Sequence, residues 1–210
     1  MGILNLFKKK SPQKKSKLSN MANYQAIIQD TRRRIEEDDR EITQLQAAKE
    51  RYDQDNDIQA CIQEYEKVLV KGTRWNSFNF HLTLVDLYVK DGRDNEGWAY
   101  LNRLLMQFPD EYSTYKIRYE QFRILRKEKK YKEAIRMLAV SHVLKTNSPN
   151  GSYFSVEKFK KDGKTTAKGA GITAECFHEL ACLISNVAKD GKRKEQDIFS
   201  VVDSFLKEKG

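Results

Sequence analysis

Apolar positions along the chain recur with the spacing of amphipathic helices. Ile28, Ile35 and Ile42 repeat every seven residues and predict a leading helix over residues 22–53. Later apolar stripes predict helices over residues 58–71, 78–90, 94–107, 115–127, 131–144, 174–189 and 196–207. The pattern therefore indicates an all-α protein.

The leading helix admits two interpretations. Sustained heptads are typical of a coiled coil, so a coiled-coil dimer is one of them. Thr31 and Asp38 interrupt the second apolar seam. This favours a single helix, broken near Asp38, that leads into the helices that follow.

A pattern of large and small residues recurs with a period of 37 residues. Its middle copy consists of Leu84, Tyr88, Gly92, Gly97, Leu101, Leu104 and Pro109. A shift of 37 residues in either direction places Ala60 or Ala134 at the position of Gly97. We expect each of these small residues to let the second helix of a pair approach the first closely.

This pattern resembles the tetratricopeptide repeat, a helix pair that recurs with a period near 34 residues. The resemblance covers residues 41 to 146, although other helix-pair repeats share the small-residue spacing. It implies a right-handed superhelical stack of three helix pairs, with a leading N-terminal helix and a C-terminal helical cap.

The pattern also divides the chain into four parts. Residues 1–20 lack an apolar stripe and are predicted to form a flexible, lysine-rich extension. Residues 21–146 are predicted to form the repeat domain. Residues 147–172 are predicted to be a loop, within which Ser155–Lys161 form either a short helix or a strand that enters a turn at Asp162-Gly163. Residues 173–210 carry two apolar stripes and are predicted to form a helical pair that caps the array.

In tetratricopeptide proteins the first helix of each pair lines an inner surface that binds the partner. Ile42, Leu45, Asp53, Leu82 and Val89 occupy inner-surface positions here. The partner-binding residues implied by the resemblance are Lys49, Tyr52, Asn79, Asp86, Lys90, Lys116, Tyr119, Arg123, Arg126 and Lys127. The third repeat contributes four cations to this set, which suits carboxylates, phosphate or an acidic peptide as the ligand. The alternative is that these cations only solvate the helix surface.

Two residue-level expectations follow from this assignment. Leu45 stands where the carboxylate clamp of chaperone-binding members has its first lysine, so that specificity is not implied. Lys116, Arg123 and Lys127 are predicted to share one exposed helix face with Tyr119. Because exposed charges contribute little to stability, replacing these three cations should weaken partner binding with little change in melting temperature.

The net charge of +9 is unevenly distributed. Residues 1–20 contain six lysines and no acid, whereas residues 21–144 contain 21 basic and 21 acidic residues. Apolar residues followed by lysines predict contact with an anionic membrane, and the alternative is a solvated tail. The candidate membrane-contact residues are Ile3, Leu4, Leu6, Phe7, Lys8, Lys9 and Lys10.

Cysteine usage indicates a reducing compartment. Cys61, Cys176 and Cys182 form no disulfide framework, and Cys61 and Cys182 fall on apolar helix faces. No secretory signal is visible, and no apolar run is long enough to cross a bilayer. We expect a cytoplasmic location, with peripheral membrane attachment as the alternative.

Two short motifs suggest chemistry, and neither is complete. Gly163-Lys164-Thr165 resembles the end of a phosphate-binding loop but lacks the glycine that such a loop needs five residues before Gly163. The sequence from His178 to Cys182 is one residue short of the zinc-protease motif, without a third ligand. We predict no catalytic residue, no metal site and no cofactor.

The predicted function is a non-catalytic adaptor that binds a protein or peptide segment. A membrane-surface adaptor is the second hypothesis. RNA binding is the third, because basic residues alternate with aromatic side chains that can stack on bases. These aromatic residues are Tyr112, Tyr115, Tyr119, Phe122 and Tyr131. Most of them have the spacing of core residues, so a nucleic-acid partner is not favoured.

Overall fold

The computed structural model describes residues 13–69, 78–147, 153–189 and 194–209. This part of the chain is helical and contains no strand, which confirms the predicted all-α class. The helices are α1 (Gln13–Asp55), α2 (Ile58–Leu69), α3 (Phe78–Lys90), α4 (Asp94–Gln107), α5 (Glu111–Lys127), α6 (Tyr131–Asn147), α7 (Val156–Gly169), α8 (Ala174–Lys189) and α9 (Glu195–Lys209).

The first six helices pack in the order in which they follow along the chain. α1 packs on α2, α3 on α4 and α5 on α6. Successive pairs are joined by contacts of α2 with α3 and of α4 with α5, and α3 also contacts α5. α5 begins one turn before the predicted residue 115, because the Asp110 carboxylate caps the helix by accepting a hydrogen bond from the Ser113 amide.

Two hydrophobic clusters form the core. The first lies among α1 to α5 and includes Leu84 and Leu101, which are fully buried. The second lies among α5 to α9 and includes Leu138 and Phe159, which are also fully buried. Trp98 packs against both clusters, so the C-terminal helices share a continuous core with the rest of the protein.

The three repeated small residues have different surroundings. Ala134 is fully buried and Gly97 is buried, as expected, whereas Ala60 is exposed. The buried face of α2 is centred on Cys61, Ile62 and neighbouring residues, one position away from Ala60. The prediction that Ala60 lets α2 approach α1 is therefore wrong.

α1 runs without interruption through Asp38, so the predicted break is wrong. Ion pairs link successive turns of this polar stretch: Asp30 contacts Arg33 at 2.9 Å and Arg34 at 2.8 Å. With 43 residues, α1 is about 65 Å long. The prediction of a flexible extension over residues 1–20 is wrong for residues 13–20, where the backbone is helical. Residues 1–12 lie outside the described residues.

The first half of α1 lacks a covering partner within the described residues. Met21, Tyr24, Ile27, Ile28 and Ile35 are exposed apolar side chains on this part of the helix. Full burial begins only near the end of α1, where Leu45 and Ala48 pack against the first cluster. Only the last turns of the helix are therefore anchored in the core.

The predicted loop over residues 147–172 is wrong for most of its length, because α7 occupies it. The Ser155 hydroxyl caps this helix by accepting a hydrogen bond from the Lys158 amide at 3.2 Å. Phe159, Gly163 and Ala167 recur at the helical spacing of four residues and are buried. The stripe consists mostly of small residues, so its apolar character is weak in the sequence.

α7 packs between α6 and α8, and α9 packs on α6 and α8. The Thr173 hydroxyl caps α8 as predicted, accepting a hydrogen bond from the Cys176 amide at 3.2 Å. An ion pair of 2.6 Å between Arg118 and Glu195 ties α5 to the start of α9. The end of the chain is thus a three-helix assembly on α6 rather than the predicted pair alone.

Candidate functional site

Residues of α3 and α5 that are 37 or 38 positions apart contact one another. The Lys116 ammonium on α5 donates a hydrogen bond of 3.3 Å to the Asn79 side chain on α3, 37 residues earlier. Arg123 donates one of 3.2 Å to Asp86, at the same separation. Lys127 donates one of 2.7 Å to the Val89 carbonyl oxygen, 38 residues earlier. A spacing of 37 or 38 residues therefore separates the residues that join α3 to α5.

The contact continues from α3 to α1. The Lys90 ammonium lies 5.8 Å from the centre of the Tyr52 ring, and the Lys49 ammonium lies 5.2 Å from the same ring. Several residues predicted for the inner surface are thus neighbours in the structure, whereas Leu45 is buried in the first cluster. We call this surface, formed by the facing sides of α1, α3 and α5, the repeat face.

Most cations of the repeat face are paired with carboxylates. Lys90 contacts Asp86 at 3.0 Å and Lys127 contacts Asp94 at 2.8 Å, while Lys49 is paired with Asp53. The predicted row of exposed cations is therefore a network of charge pairs. The side chains of this network are therefore held in place by their charge partners.

Arg123 forms two ion pairs within this network. It contacts Glu120 at 2.7 Å and Asp86 at 3.2 Å. Burial raises the pKa of Glu120 above its ordinary value, and the Arg123 charge opposes that increase. The expectation that Arg123 contributes little to stability conflicts with this arrangement.

Arg126 and Tyr119 complete the predicted set. Arg126 is exposed, with its guanidinium 5.3 Å from the centre of the Phe122 ring. Tyr119 is half-buried, and its ring lies 5.6 Å from that of Phe122. Phe122 itself is buried, so it has no free ring face on which a nucleic-acid base could stack.

A pocket of about 440 Å³ opens at the end of the repeat face, between α5, α6 and α7. Lysines from three helices line it: Lys116 on α5, Lys145 on α6 and Lys158 on α7. We call it the three-lysine pocket. The other side chains that line it are Leu82, Tyr115, Tyr119, Glu120, Ser141, His142 and Asp162.

A histidine–aspartate pair forms part of the pocket wall. His142 Nε2 lies 3.2 Å from Asp162 Oδ2. Burial lowers the pKa of His142, while Asp162 acts in the opposite direction. The imidazole ring packs edge-on against Phe159 at 5.4 Å, which fixes its orientation.

Two of the lysines repel one another. Burial and the neighbouring Lys158 ammonium both lower the pKa of Lys145. The Lys145 ammonium also lies 6.0 Å from the centre of the Tyr115 ring. Lys145 and Lys158 were not predicted as site residues. The predicted sixth helix ended at residue 144, and residues 155–161 were left open as a short helix or a strand. Because α7 extends to Gly169, Lys158 and Asp162 share a helix face at a spacing of four.

His81 is buried with Nδ1 2.5 Å from the Tyr100 hydroxyl, and burial, with a smaller contribution from Arg103, lowers its pKa to about 4. His81 is therefore a neutral packing residue. Among the described residues, no group of three or more His, Cys, Asp or Glu side chains is arranged to hold a metal ion.

The cysteines differ from the sequence-based expectation at one position. Cys61 is buried as predicted, but Cys182 is exposed, with its sulfur 3.7 Å from His178 Nε2. The core-facing side of α8 carries Phe177, Leu180 and Ala181 instead. Gly163 lies inside α7, so Gly163-Lys164-Thr165 is helical and not a phosphate-binding loop.

The candidate membrane-contact residues Ile3 to Lys10 lie outside the described residues. In the part of the chain that is described, no helix is both long and apolar enough to span a bilayer. α1 has the length but is predominantly polar.

Comparison of the chain with protein-family models, curated proteins and solved structures found no match.

Proposed function

We propose that the protein is a non-catalytic, tetratricopeptide-like adaptor that binds an extended segment of another protein along the repeat face. The observation that carries this proposal is the contact of equivalent residues 37 positions apart, Asn79 with Lys116 and Asp86 with Arg123. Such contacts place the first helices side by side in register. A right-handed superhelical stack would produce this arrangement, with the repeat face as its inner surface.

The chemistry of the repeat face suits a polar, extended ligand. Lys90 is exposed, and Lys116 is half-buried beside Asn79. Both ammonium groups can donate hydrogen bonds to the carbonyl groups of a bound chain. Cations outnumber carboxylates on and beside this face, which favours an acidic segment. The cations are Lys49, Lys90, Lys116, Arg123, Arg126 and Lys127, and the carboxylates are Asp53, Asp86, Asp94 and Glu120.

We expect neutralisation of the repeat face to weaken partner capture strongly. In a variant with Lys49→Gln, Lys90→Gln and Arg126→Gln, a partner captured from native lysate should be depleted about tenfold, because lost charge contacts accelerate dissociation. Capture on immobilised full-length protein, quantified by mass spectrometry, measures this loss. None of the three side chains lines the three-lysine pocket.

A matched variant controls for the change in net charge. Lys67→Gln, Lys132→Gln and Lys207→Gln remove three exposed cations from α2, α6 and α9, away from the repeat face. This variant should capture the partner as the unaltered protein does. Equal losses in both variants would show non-specific charge attraction and contradict the adaptor proposal.

A second candidate function is recruitment to a membrane surface through the start of the chain. The exposed apolar side chains of α1, from Met21 to Ile35, favour it, because they would extend an apolar contact begun by residues 3–7. The adaptor would then work in the cytoplasm, attached peripherally to an anionic leaflet.

Anionic liposomes should co-sediment the full chain at low salt, and deletion of residues 1–10 should abolish the co-sedimentation. The physical reason is that residues 1–10 contain four large apolar side chains and three of the six lysines of residues 1–20, which together would bind an anionic leaflet. Neutral liposomes are the control. Equal sedimentation with and without residues 1–10 would contradict recruitment by this segment.

A further inference from the structure

The first half of α1 carries a line of apolar side chains that no other described residue covers. Most of them recur at the alternating spacing of three and four residues that is typical of paired helices. Each is more than half exposed, and together we call them the α1 seam: Met21, Tyr24, Ile27, Ile28 and Ile35. Because α1 runs through Asp38 without a break, the seam lies on one continuous helix.

The other end of α1 shows what covers this side of the helix. Leu45 and Ala48 are buried there, where α1 packs on α2. Tyr24 and Ile27 precede them by 21 residues, which is three heptads and returns to the same side of a paired helix. With 12 residues, α2 is about 18 Å long and covers only the last turns of α1. A further helix on the α1 seam would therefore continue the packing that α2 begins.

The charges along the uncovered part of α1 favour an antiparallel second copy of the same helix. Residues 13–29 contain three lysines and no acid, whereas residues 30–41 contain six acids and four bases, a net charge of −2. The ion pairs of Asp30 with Arg33 and Arg34 lie within the second stretch and leave this net charge unchanged. An antiparallel copy sets the basic stretch of each helix beside the acidic stretch of the other, and a parallel copy sets like beside like.

A bilayer, the other surface that an apolar helix face can contact, matches the start of the α1 seam better than its end. An anionic leaflet attracts the basic residues 13–29 but repels the net-negative residues 30–41 around Ile35. The seam is also narrow, whereas a helix that lies in a membrane surface presents a broad apolar face. A second copy covers Ile35 without either obstacle.

We propose that the protein forms an antiparallel dimer in which the α1 seams of two copies pack together. If the helices cross near residue 26, Met21 of one copy faces Thr31 of the other, and Tyr24 faces Ile28. Thr31 is polar, so the association is reversible. The pairing is twofold symmetric and leaves neither seam open. It does not depend on the adaptor function, and it places one repeat face at each end of the paired helices.

Sedimentation equilibrium of the full-length protein tests for the dimer. The unaltered protein should contain dimer at about 100 μM and dissociate on dilution. Ile28→Asn with Ile35→Asn should raise the dimer dissociation constant at least about tenfold, because the apolar burial of these side chains is lost in both copies. Met106→Asn with Leu183→Asn is the matched control: it removes two exposed apolar side chains from α4 and α8 and should leave association unchanged. Melting curves check that both variants are folded.

Disulfide cross-linking determines the orientation. All proteins carry Cys182→Ser, which removes the exposed thiol, and the protein with this change alone is the control. Under mild oxidation, a mixture of Met21→Cys and Thr31→Cys proteins should form a cross-linked dimer, and each protein alone should form little. The reason is that a disulfide requires Cα atoms within about 7 Å. Cross-linking of the Met21→Cys protein alone would show parallel pairing and overturn the antiparallel arrangement.

Two further outcomes would overturn the dimer itself. A full-length protein that is monomeric at about 100 μM, or one whose association is equally strong in the α1 variant and the control variant, contradicts pairing through the α1 seam. If the protein is monomeric in solution and Ile28→Asn with Ile35→Asn abolishes its co-sedimentation with anionic liposomes, the seam contacts a bilayer instead. Capture of a partner from lysate is measured separately, so the adaptor function stands or fails independently.

Discussion

Replacing Gly163 with alanine should destabilise the protein by about 1–3 kcal/mol, the usual cost of overpacking a well-packed core. A Cβ at this position would lie 2.5 Å from Cζ of Phe177 and 2.9 Å from Cδ2 of Leu138. The Phe177 ring cannot yield easily, because it stacks on the fully buried Phe159 at 5.2 Å. Urea unfolding of the full-length protein, followed by circular dichroism, measures the change.

Gly97→Ala is the matched control, since both glycines are buried within helices. A Cβ at Gly97 would meet its nearest atoms, on Ile124 and Tyr88, at 3.6 Å, which is an ordinary contact distance. The gain in helix propensity should then stabilise the protein by about 0.5–1 kcal/mol. If both substitutions changed the free energy of unfolding equally little, α7 would not pack against α6 and α8 as the structure describes.

Arg123→Ala should destabilise the protein by about 1–2 kcal/mol at pH 7.5, because it removes the basic partner of the largely buried Glu120. The expected loss of stability is modest because the Arg123 side chain is 40% exposed and water screens the ion pair. Lys116→Ala is the matched control: it removes a cation from the same helix without leaving a buried carboxylate unpaired, and should change stability little. Thermal and urea unfolding report both effects.

The loss caused by Arg123→Ala should shrink as the pH is lowered. Burial raises the pKa of Glu120 in the folded state above the ordinary value of 4.5, and removal of Arg123 should raise it further. A carboxyl group whose folded-state pKa is raised stabilises the protein below its ordinary pKa, and this stabilisation is lost as the pH rises through the folded-state pKa. The stability of the Arg123→Ala variant should therefore approach that of the unaltered protein as the pH falls from 7.5 to 5.

Glu120→Gln provides the decisive comparison, because glutamine fills the same volume without a charge. Combined with Arg123→Ala, it should recover most of the lost stability and remove the difference between pH 7.5 and pH 5. A pH-independent loss that Glu120→Gln does not repair would show that Arg123 stabilises the protein through packing instead of charge.

Helix boundaries were most predictable where an apolar stripe of large residues coincides with strong end signals. α3 and α4 match the predicted ranges 78–90 and 94–107, since Pro109 and the Gly92 turn delimit them. The start of α7 was left open as a short helix or a strand over residues 155–161. Its continuation was missed because the buried stripe there depends on Gly163 and Ala167, which have little hydrophobic weight in a sequence. Small residues become core residues only when neighbouring helices come close enough to cover them.

The sequence by itself determined the all-α class, the order of the first six helices and the residues that share a face on α3 and α5. These features depend on local periodicity and on a repeat of 37 residues, both of which are visible without knowledge of the packing. Only the tertiary structure decided how the charges are used. Arg123 became a partner of Glu120, and Lys145 and Lys158 came to share a pocket, because contacts between distant segments depend on how α5, α6 and α7 pack.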